Sequence, residues 1–438
     1  MMEVLFLAEF IVFTFIFILI FKNGFRKHLA LLFVATTMFL FMFISPFYGF
    51  KIEFKSLFNN YLWDYYPNIM LNYLTAVISF LLGYLLLKKN RIIQMETNNT
   101  KSNYIPIKLI RIGLFIGIGS FILWGLLSGK SLSNIFLLGF FGLSDNNIYP
   151  EGVKGNNYLL LMIETLIPLL VFSIYSNMKK PEIVFWIAIV SIIFLSQGFR
   201  YRFILLLSSF LLVYLLKNKL SMKKVLITSL TLFIFMYSII GISDYRHSIR
   251  DSVRGVYIDQ DGKSGGRDIS HIIFASTRNY LAFGSLLKYM DSNNISYGYG
   301  ETMFGHIFIR MIPSTFFENN AKPRPPAIEV SAKSWGSREA LYAGEAYGGV
   351  GGVYYEFGTI GVAIFFMLIG MITKWLDQKI FQSTNKIRIA FYIVITISLF
   401  KIITRGYLPE FFFSFGFMML PFIYIKIFLP KLWRESYV

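Results

Sequence analysis

Long apolar runs alternate with short polar segments along almost the whole chain of 438 residues. Most runs come close to the ~20 residues that a helix needs to cross the hydrocarbon of a bilayer, whereas a spanning strand needs only about ten alternating residues. The pattern therefore predicts an all-α polytopic membrane protein with about eleven spans. The predicted spans are residues 4–21, 29–50, 68–87, 109–127, 158–177, 183–199, 203–216, 225–243, 350–371, 389–404 and 411–428.

One long interval, residues 244–349, contains no apolar run sufficient to span a bilayer. It mixes charges, aromatic residues and prolines, which is not typical of a passive linker. We therefore expect a chain of three parts. These are an N-terminal bundle of about eight spans (1–243), a large external loop with short helices that carries the chemistry (244–349), and a C-terminal bundle with a short tail (350–438).

The composition narrows the class of protein further. Hydrophobic residues make up 55% of the chain and charged residues only 15%, as expected for an integral membrane protein. The chain has no cysteine, which excludes disulfides, thiolate metal sites and thiol nucleophiles.

The distribution of positive charge predicts the orientation of the chain in the membrane. Six alternate short segments between and after the spans hold 22 Lys and Arg against four acidic residues, while the rest of the chain is balanced. Because cytoplasmic loops carry an excess of Lys and Arg, we place these six segments in the cytoplasm. The N-terminus and the large loop are then external and the C-terminus is cytoplasmic. The net charge of +18 orients the protein, and we expect no nucleic-acid partner.

Three arginines run against this bias, because they lie in short turns predicted to be external. Arg200 and Arg202 occur in SQGFRYRF, and Arg405 occurs in TRGYLPE. A single arginine in such a place can simply reach the phosphates of lipid headgroups. Three of them beside a large external loop favour a shared anion site, since the planar guanidinium binds phosphate oxygens in pairs.

Other motifs in the large loop do not support a metal site. The segment DQDGKSGGRD (259–268) offers a D-x-D pattern, but the calcium-loop pattern fails at Lys263 and lacks its final Glu. A flexible glycine-rich turn explains this segment better. His271 and His306 have no second ligand at metal spacing.

The segment GEAYGGVGGVYYEFGTIGVAIFFMLIG (344–370) leads from the large loop into a span. Its glycines suit close helix packing. Glu345 and Glu356 are carboxylates near the bilayer surface that need partners. Tyr347, Tyr354 and Tyr355 either belong to the aromatic belt of the interface or form surfaces on which sugar rings stack.

This segment, together with IPSTFFENNAKPRPP (312–326), TRGYLPEFFFSFGFMMLP (404–421) and SQGFRYRF upstream, resembles the Wzy-type oligosaccharide repeat-unit polymerases. These are bacterial inner-membrane proteins that build O-antigen, enterobacterial common antigen or capsular polysaccharide. The similar motifs lie roughly in the second half of the chain. The similar layout, with many spans and one long external loop before the last three, extends over the whole chain. A pattern of Arg, ten residues and Gly, found in some members, occurs once, from Arg338 to Gly349.

The resemblance implies a GT-C-type glycosyltransferase. We expect it to be inverting, because a single displacement inverts the linkage, to be metal-independent, because arginines can stabilise the leaving group, and to need no cofactor. It would transfer a growing glycan from undecaprenyl pyrophosphate onto a second lipid-linked repeat unit. Arginines suit the charge of the leaving pyrophosphate, and an acidic or histidine side chain suits the general base. The candidate bases are Glu345, Glu356, His271 and His306; the candidate pyrophosphate ligands are Arg200, Arg202, Arg310, Arg405, Lys322, Arg324 and Arg338; the candidate sugar-binding residues are Tyr347, Tyr354 and Tyr355.

Two alternative functions stay open at the level of sequence. The related O-antigen ligases share the topology and the lipid-pyrophosphate donor. A transporter of lipid-linked oligosaccharides is the second alternative, although such transporters usually show internal repeats, and no convincing repeat is present here. The expected partners are undecaprenyl-pyrophosphate-linked oligosaccharides and membrane lipids, with a chain-length regulator protein as a further candidate.

Overall fold

The computed structural model describes the chain except for residues 23, 54–55, 58–59, 88–104, 128–156, 197–199, 219–276, 313–315, 319–321, 324, 335–345 and 434–438. Its regular elements are helices, apart from one antiparallel pair of two-residue strands, β1 (Ser56–Leu57) and β2 (Asn60–Tyr61). The predicted all-α class is confirmed.

Nine α-helices lie in the first half of the described chain: α1 (Met2–Lys22), α2 (Leu29–Met38), α3 (Ser45–Lys51), α4 (Tyr66–Leu86), α5 (Ile107–Leu127), α6 (Asn157–Leu161), α7 (Leu166–Tyr175), α8 (Lys180–Ser196) and α9 (Arg200–Lys217). The second half of the described chain adds α10 (Asn279–Ser292), α11 (His306–Met311), α12 (Pro326–Ser334), α13 (Gly348–Gln382), α14 (Lys386–Arg405), α15 (Leu408–Phe428) and α16 (Pro430–Trp433). Two short π-helical stretches, Phe39–Ile44 and Glu301–Gly305, continue directly into α3 and α11.

Eight helical stretches within the described residues are long and apolar enough to cross a membrane, so the chain is a multi-pass membrane protein. The predicted span at 183–199 corresponds to α8, which has only 17 residues. The span at 203–216 corresponds to α9, which carries three basic residues. The span at 225–243 lies outside the described residues. The count of about eleven spans therefore stays a prediction.

The chain groups into two compact units that each combine distant segments. The first unit contains Met1–Glu96, Ile273–Ser383 and Ile395–Phe413; the second contains Thr97–Ile272, Thr384–Val394 and Ser414–Val438. The described part of the predicted large loop contains the short helices α10, α11 and α12, as expected. The division into three consecutive parts stays a prediction.

Helices α4 and α13 pack against each other closely in the first unit, and two glycines make this approach feasible. A Cβ atom at Gly83 would lie 1.9 Å from the carbonyl oxygen of Met367, and one at Gly370 would lie 2.1 Å from that of Phe80. Small residues of this kind let membrane helices approach each other. Helix packing was expected for Gly358, Gly361 and Gly370, and it is confirmed at Gly370. A Cβ atom at Gly358 would instead lie nearest Tyr297, and one at Gly361 nearest Phe357 of the same helix.

Helix α13 is kinked at Gly358, whose backbone has φ 64° and ψ −162°. The kink interrupts the helical hydrogen bonds of the preceding turn, which leaves carbonyl groups that need other donors. The amides of Gly298 and Tyr299 donate to the carbonyl oxygens of Tyr355 and Glu356, each at 3.0 Å. The kink thus fixes the short loop before α11 against the first turns of α13.

Candidate functional site

The turn between α14 and α15 carries the TRGYLPE motif and is held by two other segments of the first unit. Gly406 has φ 73°, and a Cβ atom there would lie 2.0 Å from the carbonyl oxygen of Gly348 at the start of α13. Only glycine fits both the backbone angle and this close approach. The side-chain amide of Asn279 in α10 also donates to the carbonyl oxygen of Thr404. The glycine-rich segment and the TRGYLPE motif, remote from each other in sequence, therefore meet.

Basic side chains gather around this turn. In α14, Lys401 is 3% exposed and its Nζ lies 2.9 Å from Oε1 of Glu410 in the first turn of α15. Arg405 follows Lys401 by one helical turn and acts on Glu410 electrostatically, as does Arg310. The guanidinium of Arg310 lies 5.3 Å from the centre of the Phe413 ring.

Lys322 completes this arrangement by donating from Nζ to the carbonyl oxygen of Arg310 at 2.7 Å. We call Arg310, Lys322, Lys401 and Arg405, together with Glu410, the cationic cluster. Three of its basic side chains, Lys401, Arg310 and Arg405, act on the Glu410 carboxylate, and Lys322 contacts the backbone of Arg310.

Two pKa shifts show how Arg310 acts on its neighbours. Burial lowers the pKa of the Lys322 ammonium, and the neighbouring Arg310 lowers it further. Burial raises the pKa of the Tyr407 phenol, although the positive charge of Arg310 and a hydrogen bond with it oppose that shift. A cation whose charge is disfavoured by its neighbours is stabilised when an anion binds. An anion site at this cluster stays a prediction.

Glu356 lies at the kink of α13 and is 1% exposed. Its Oε2 accepts a hydrogen bond from the amide of Gly300 at 2.7 Å, and its Oε1 is buried without a hydrogen-bond partner among the described residues. A Cβ atom at Gly298 would lie 2.7 Å from Oε2, so the loop touches this carboxylate directly. Glu356 thus holds the loop in place, and its role as a general base stays a prediction.

His306 begins α11 and is 4% exposed. Burial lowers the pKa of its imidazole, although Glu301 opposes that shift. The imidazole is therefore neutral at pH 7, which is the state that a base requires. Its catalytic role also stays a prediction.

The predicted sugar-binding tyrosines differ in exposure. Tyr347 and Tyr355 are buried at 8% and 5%. Tyr354 is half-buried, with its ring centre 6.0 Å from that of Tyr297. Tyr297 and Tyr299 are 39% and 75% exposed, and sequence reasoning missed them. These two offer more open aromatic surface than the three tyrosines that were predicted.

Arg202 lies in the second unit, where it already has an anionic partner. Its Nε lies 2.8 Å from Oε1 of Glu164, and the two side chains are 4% and 0% exposed. The hydroxyl of Tyr201 also donates to Glu164 Oε1, at 3.1 Å. The backbone of Arg200 begins α9, but its side chain lies outside the described structure.

The structure therefore groups some of the predicted residues and leaves others untested. Arg310, Arg405 and Lys322 come together in the first unit, whereas Arg202 belongs to the second. Glu345, His271, Arg324, Arg338 and the segment 259–268 lie outside the described residues. Among the residues that are described, no group of three His, Asp or Glu could hold a metal ion.

Sequence reasoning missed three charged residues: Lys401 and Glu410 in the first unit, and Glu164 in the second. Each lies inside or at the edge of an apolar run, and a charge in such a place usually has a partner and a function. That signal could have identified them.

A comparison with curated proteins finds no match, and a comparison with solved structures finds none either. A family model of the O-antigen polysaccharide polymerase Wzy matches residues 2–434, which is nearly the whole chain. The match agrees with the multi-pass helical fold of the described residues. The chain therefore belongs to the O-antigen polysaccharide polymerase Wzy family.

Proposed function

We propose that this protein is a GT-C-type glycosyltransferase that polymerises lipid-linked oligosaccharide repeat units at the external face of the bacterial inner membrane. Family membership supports the role of a polysaccharide polymerase. The observation that carries the proposed chemistry is the cationic cluster, because two arginines and two lysines gather there and such side chains suit a pyrophosphate group. The donor and the acceptor would both be linked to undecaprenyl pyrophosphate.

The proposed reaction is a single displacement. A hydroxyl oxygen of the acceptor sugar attacks the anomeric carbon of the donor glycan, and the bond from that carbon to the pyrophosphate oxygen breaks. The electron pair goes to the pyrophosphate, and the proton of the hydroxyl goes to a general base. Attack from the opposite face inverts the linkage. The main demand on the enzyme is to stabilise the charge that develops on the leaving group.

The members of the cationic cluster suit different parts of that task. Arg310 and Arg405 can bind phosphate oxygens in pairs, since the guanidinium presents a planar fork. Lys401 is oriented by its ion pair with Glu410. Fixed cations of this kind can supply the charge that a metal ion supplies in other glycosyltransferases, so we expect turnover in EDTA. Lys322, with Arg324 and Arg338, is proposed to bind the pyrophosphate of the acceptor.

The general base is proposed to be Glu345 or Glu356, with His271 and His306 as alternatives. Glu356 has one buried oxygen without a hydrogen-bond partner among the described residues, which leaves it able to accept a proton. Its other oxygen holds Gly300, so a variant must keep that contact. Glu356→Gln keeps a carbonyl oxygen for Gly300 and removes the basic group. Loss of polymerisation at an unchanged melting temperature would identify Glu356 as the base.

Reconstitution tests the proposed function directly. Purified protein in lipid vesicles would receive undecaprenyl-pyrophosphate-linked repeat units and EDTA, and the products would be separated on a gel. We expect a ladder of lipid-linked polymer from the wild type and from Arg111→Gln, and a much weaker ladder from Arg405→Gln. Arg111 is a matched control because it is half exposed and forms an ion pair with Glu182. Transfer of lipid-linked units across the bilayer without a ladder would contradict the proposal.

A further inference from the structure

The helical segment 301–311, formed by the π-helical stretch Glu301–Gly305 and α11, has an unusual distribution of polar residues. Phe304, Phe308 and Met311 are 53%, 68% and 57% exposed. Thr302 and His306 are 2% and 4% exposed. A helix on the surface of a soluble protein buries its apolar residues and exposes its polar ones. Although Glu301 is exposed and Met303 is 3% exposed, the face formed by Phe304, Phe308 and Met311 departs from that rule, and we call the segment the inverted helix.

The exposed face of the inverted helix continues the outer surface of a membrane-spanning helix. The ring centres of Phe304 and Phe357 are 6.5 Å apart. From Phe357, an exposed apolar stripe runs along α13 at helical spacing, with Ile360 at 75% and Ile364 at 52%. Because α13 is long and apolar enough to span, this stripe faces lipid. The apolar surface of the inverted helix is therefore continuous with a lipid-facing surface.

The C-terminal end of the inverted helix is basic. Arg310 lies in its last turn, and Lys322 donates to the carbonyl oxygen of Arg310. Basic residues beside an apolar face are typical of helices that lie in the plane of the membrane surface, with the apolar face at the boundary between headgroups and acyl chains.

We propose that the inverted helix lies in the membrane interface and that Phe304, Phe308 and Met311 contact the acyl chains of the bilayer lipids. The occupant of this surface is the bilayer itself. The inference does not depend on the glycosyltransferase chemistry proposed above. In this position, the inverted helix places Arg310, and with it the cationic cluster, at the depth of the lipid phosphates.

Site-directed spin labelling tests this depth, and the natural chain has no cysteine that would interfere. Phe308→Cys and Phe304→Cys would each be labelled with a nitroxide in the full-length protein in lipid nanodiscs. Collision rates with oxygen, which concentrates in lipid, and with a nickel chelate, which stays in water, report the environment of the label. The controls are Ile360→Cys on the lipid-facing stripe of α13 and Glu329→Cys on the exposed side of α12.

We expect the ratio of oxygen to nickel collisions at residues 308 and 304 to be several-fold higher than at residue 329 and to approach that at residue 360. A ratio like that of residue 329 would mean that the face meets water, and it would overturn the proposal. Low collision rates with both reagents would mean that protein covers the face, from this chain, a second copy or another partner. That outcome would also overturn it. Two label positions keep the test informative if one variant fails to fold.

Discussion

Arg202 and Arg310 are both arginines in a membrane protein, but they face opposite electrostatic situations. Arg202 is buried in the second unit and forms an ion pair with Glu164, so its charge is already balanced. Arg310 belongs to the cationic cluster of the first unit, where it acts on Glu410 together with Lys401 and Arg405, and its carbonyl oxygen accepts a hydrogen bond from Lys322. The sequence placed the two arginines in different predicted loops, but it did not show which of them has a carboxylate partner inside the protein.

We propose that the partner of an arginine, more than its position in the chain, distinguishes a structural arginine from a binding one. Burial of an ion costs several kcal/mol unless a partner compensates, and Glu164 is such a partner for Arg202 within the protein. In the cationic cluster, three basic side chains act on the same carboxylate, Glu410. We therefore propose an anion from outside the protein as a further partner of this cluster.

Removal of the carboxylate from the buried pair should have the largest effect. Glu164→Gln leaves the Arg202 charge buried without its anion, which costs about 3–5 kcal/mol. We expect a large loss of folded protein, measured by size-exclusion chromatography of a fluorescent fusion. The double variant Glu164→Leu with Arg202→Met removes both charges and should restore the folded yield. A single variant that folds as well as the wild type would show that the pair is not structural.

Changes at Arg310 should affect catalysis and leave folding intact. Loss of one donor that stabilises transition-state charge typically lowers the rate by about 10²–10³-fold. We expect that decrease for Arg310→Gln in the reconstituted polymerisation assay, and a smaller one for Arg310→Lys, which keeps the charge and loses the planar fork. Arg111→Gln is the control and should polymerise at the wild-type rate. Equal rates for Arg310→Gln and the control would remove Arg310 from the site.

Displacement of the turn that carries Arg405 should have an intermediate effect. Gly406→Ala places a Cβ atom 2.0 Å from the carbonyl oxygen of Gly348, at a backbone angle that costs about 1–2 kcal/mol for other residues. The turn must shift, so we expect slower polymerisation with a modest fall in melting temperature. Gly416→Ala is the control, because a Cβ atom there meets nothing within 4 Å. Equal polymerisation rates for Gly406→Ala and Gly416→Ala would show that the cluster does not depend on the position of this turn.

Low pH should slightly lower the stability of the first unit, because His306 becomes protonated. Burial lowers its folded pKa below the ordinary 6.5, so its contribution to stability is present above pH 6.5 and is lost as the pH falls through the folded pKa. Protonation would also add a positive charge one helical turn before the positively charged Arg310. We expect a lower melting temperature at pH 5.5 than at pH 7.5, and a smaller difference in His306→Asn. Identical differences in the two proteins would exclude His306 as the cause.

Hydropathy predicted most spans because the length of an apolar run is a local property. It could not predict which residues of a span face protein and which face lipid, since both environments favour apolar side chains. Asp377 illustrates the limit: it lies in the Lys- and Arg-rich segment after the predicted span 350–371, which was predicted to be a cytoplasmic loop. In the structure it is 3% exposed and accepts hydrogen bonds from the amide of Ala30 at 2.7 Å and the hydroxyl of Tyr84 at 2.9 Å. Helix α13 also continues to Gln382, beyond the predicted end of its span.

Part of the candidate site could also be predicted, because residue type and the predicted side of the membrane can be read from the local sequence. Arg405, Arg310 and Lys322 were chosen by residue type and predicted side, and these three do come together. Their neighbours Lys401 and Glu410 could have been identified as charges in or beside an apolar run, but their pairing forms only when α14 and α15 meet at the Gly406 turn. Asn279 and Thr404, which link α10 to this turn, are similarly remote in sequence. Contacts of this kind depend on the tertiary structure and leave no local pattern.

Binding of undecaprenyl pyrophosphate, measured by native mass spectrometry of the purified protein, would show whether the cationic cluster is an anion site. We expect that Arg310→Gln strongly reduces the bound fraction, whereas the double variant Glu164→Leu with Arg202→Met binds as the wild type does. Equal binding by the wild type and Arg310→Gln would exclude Arg310 from the anion site. Loss of binding in the double variant would mean that the buried pair is part of that site, which is also opposite to the proposal.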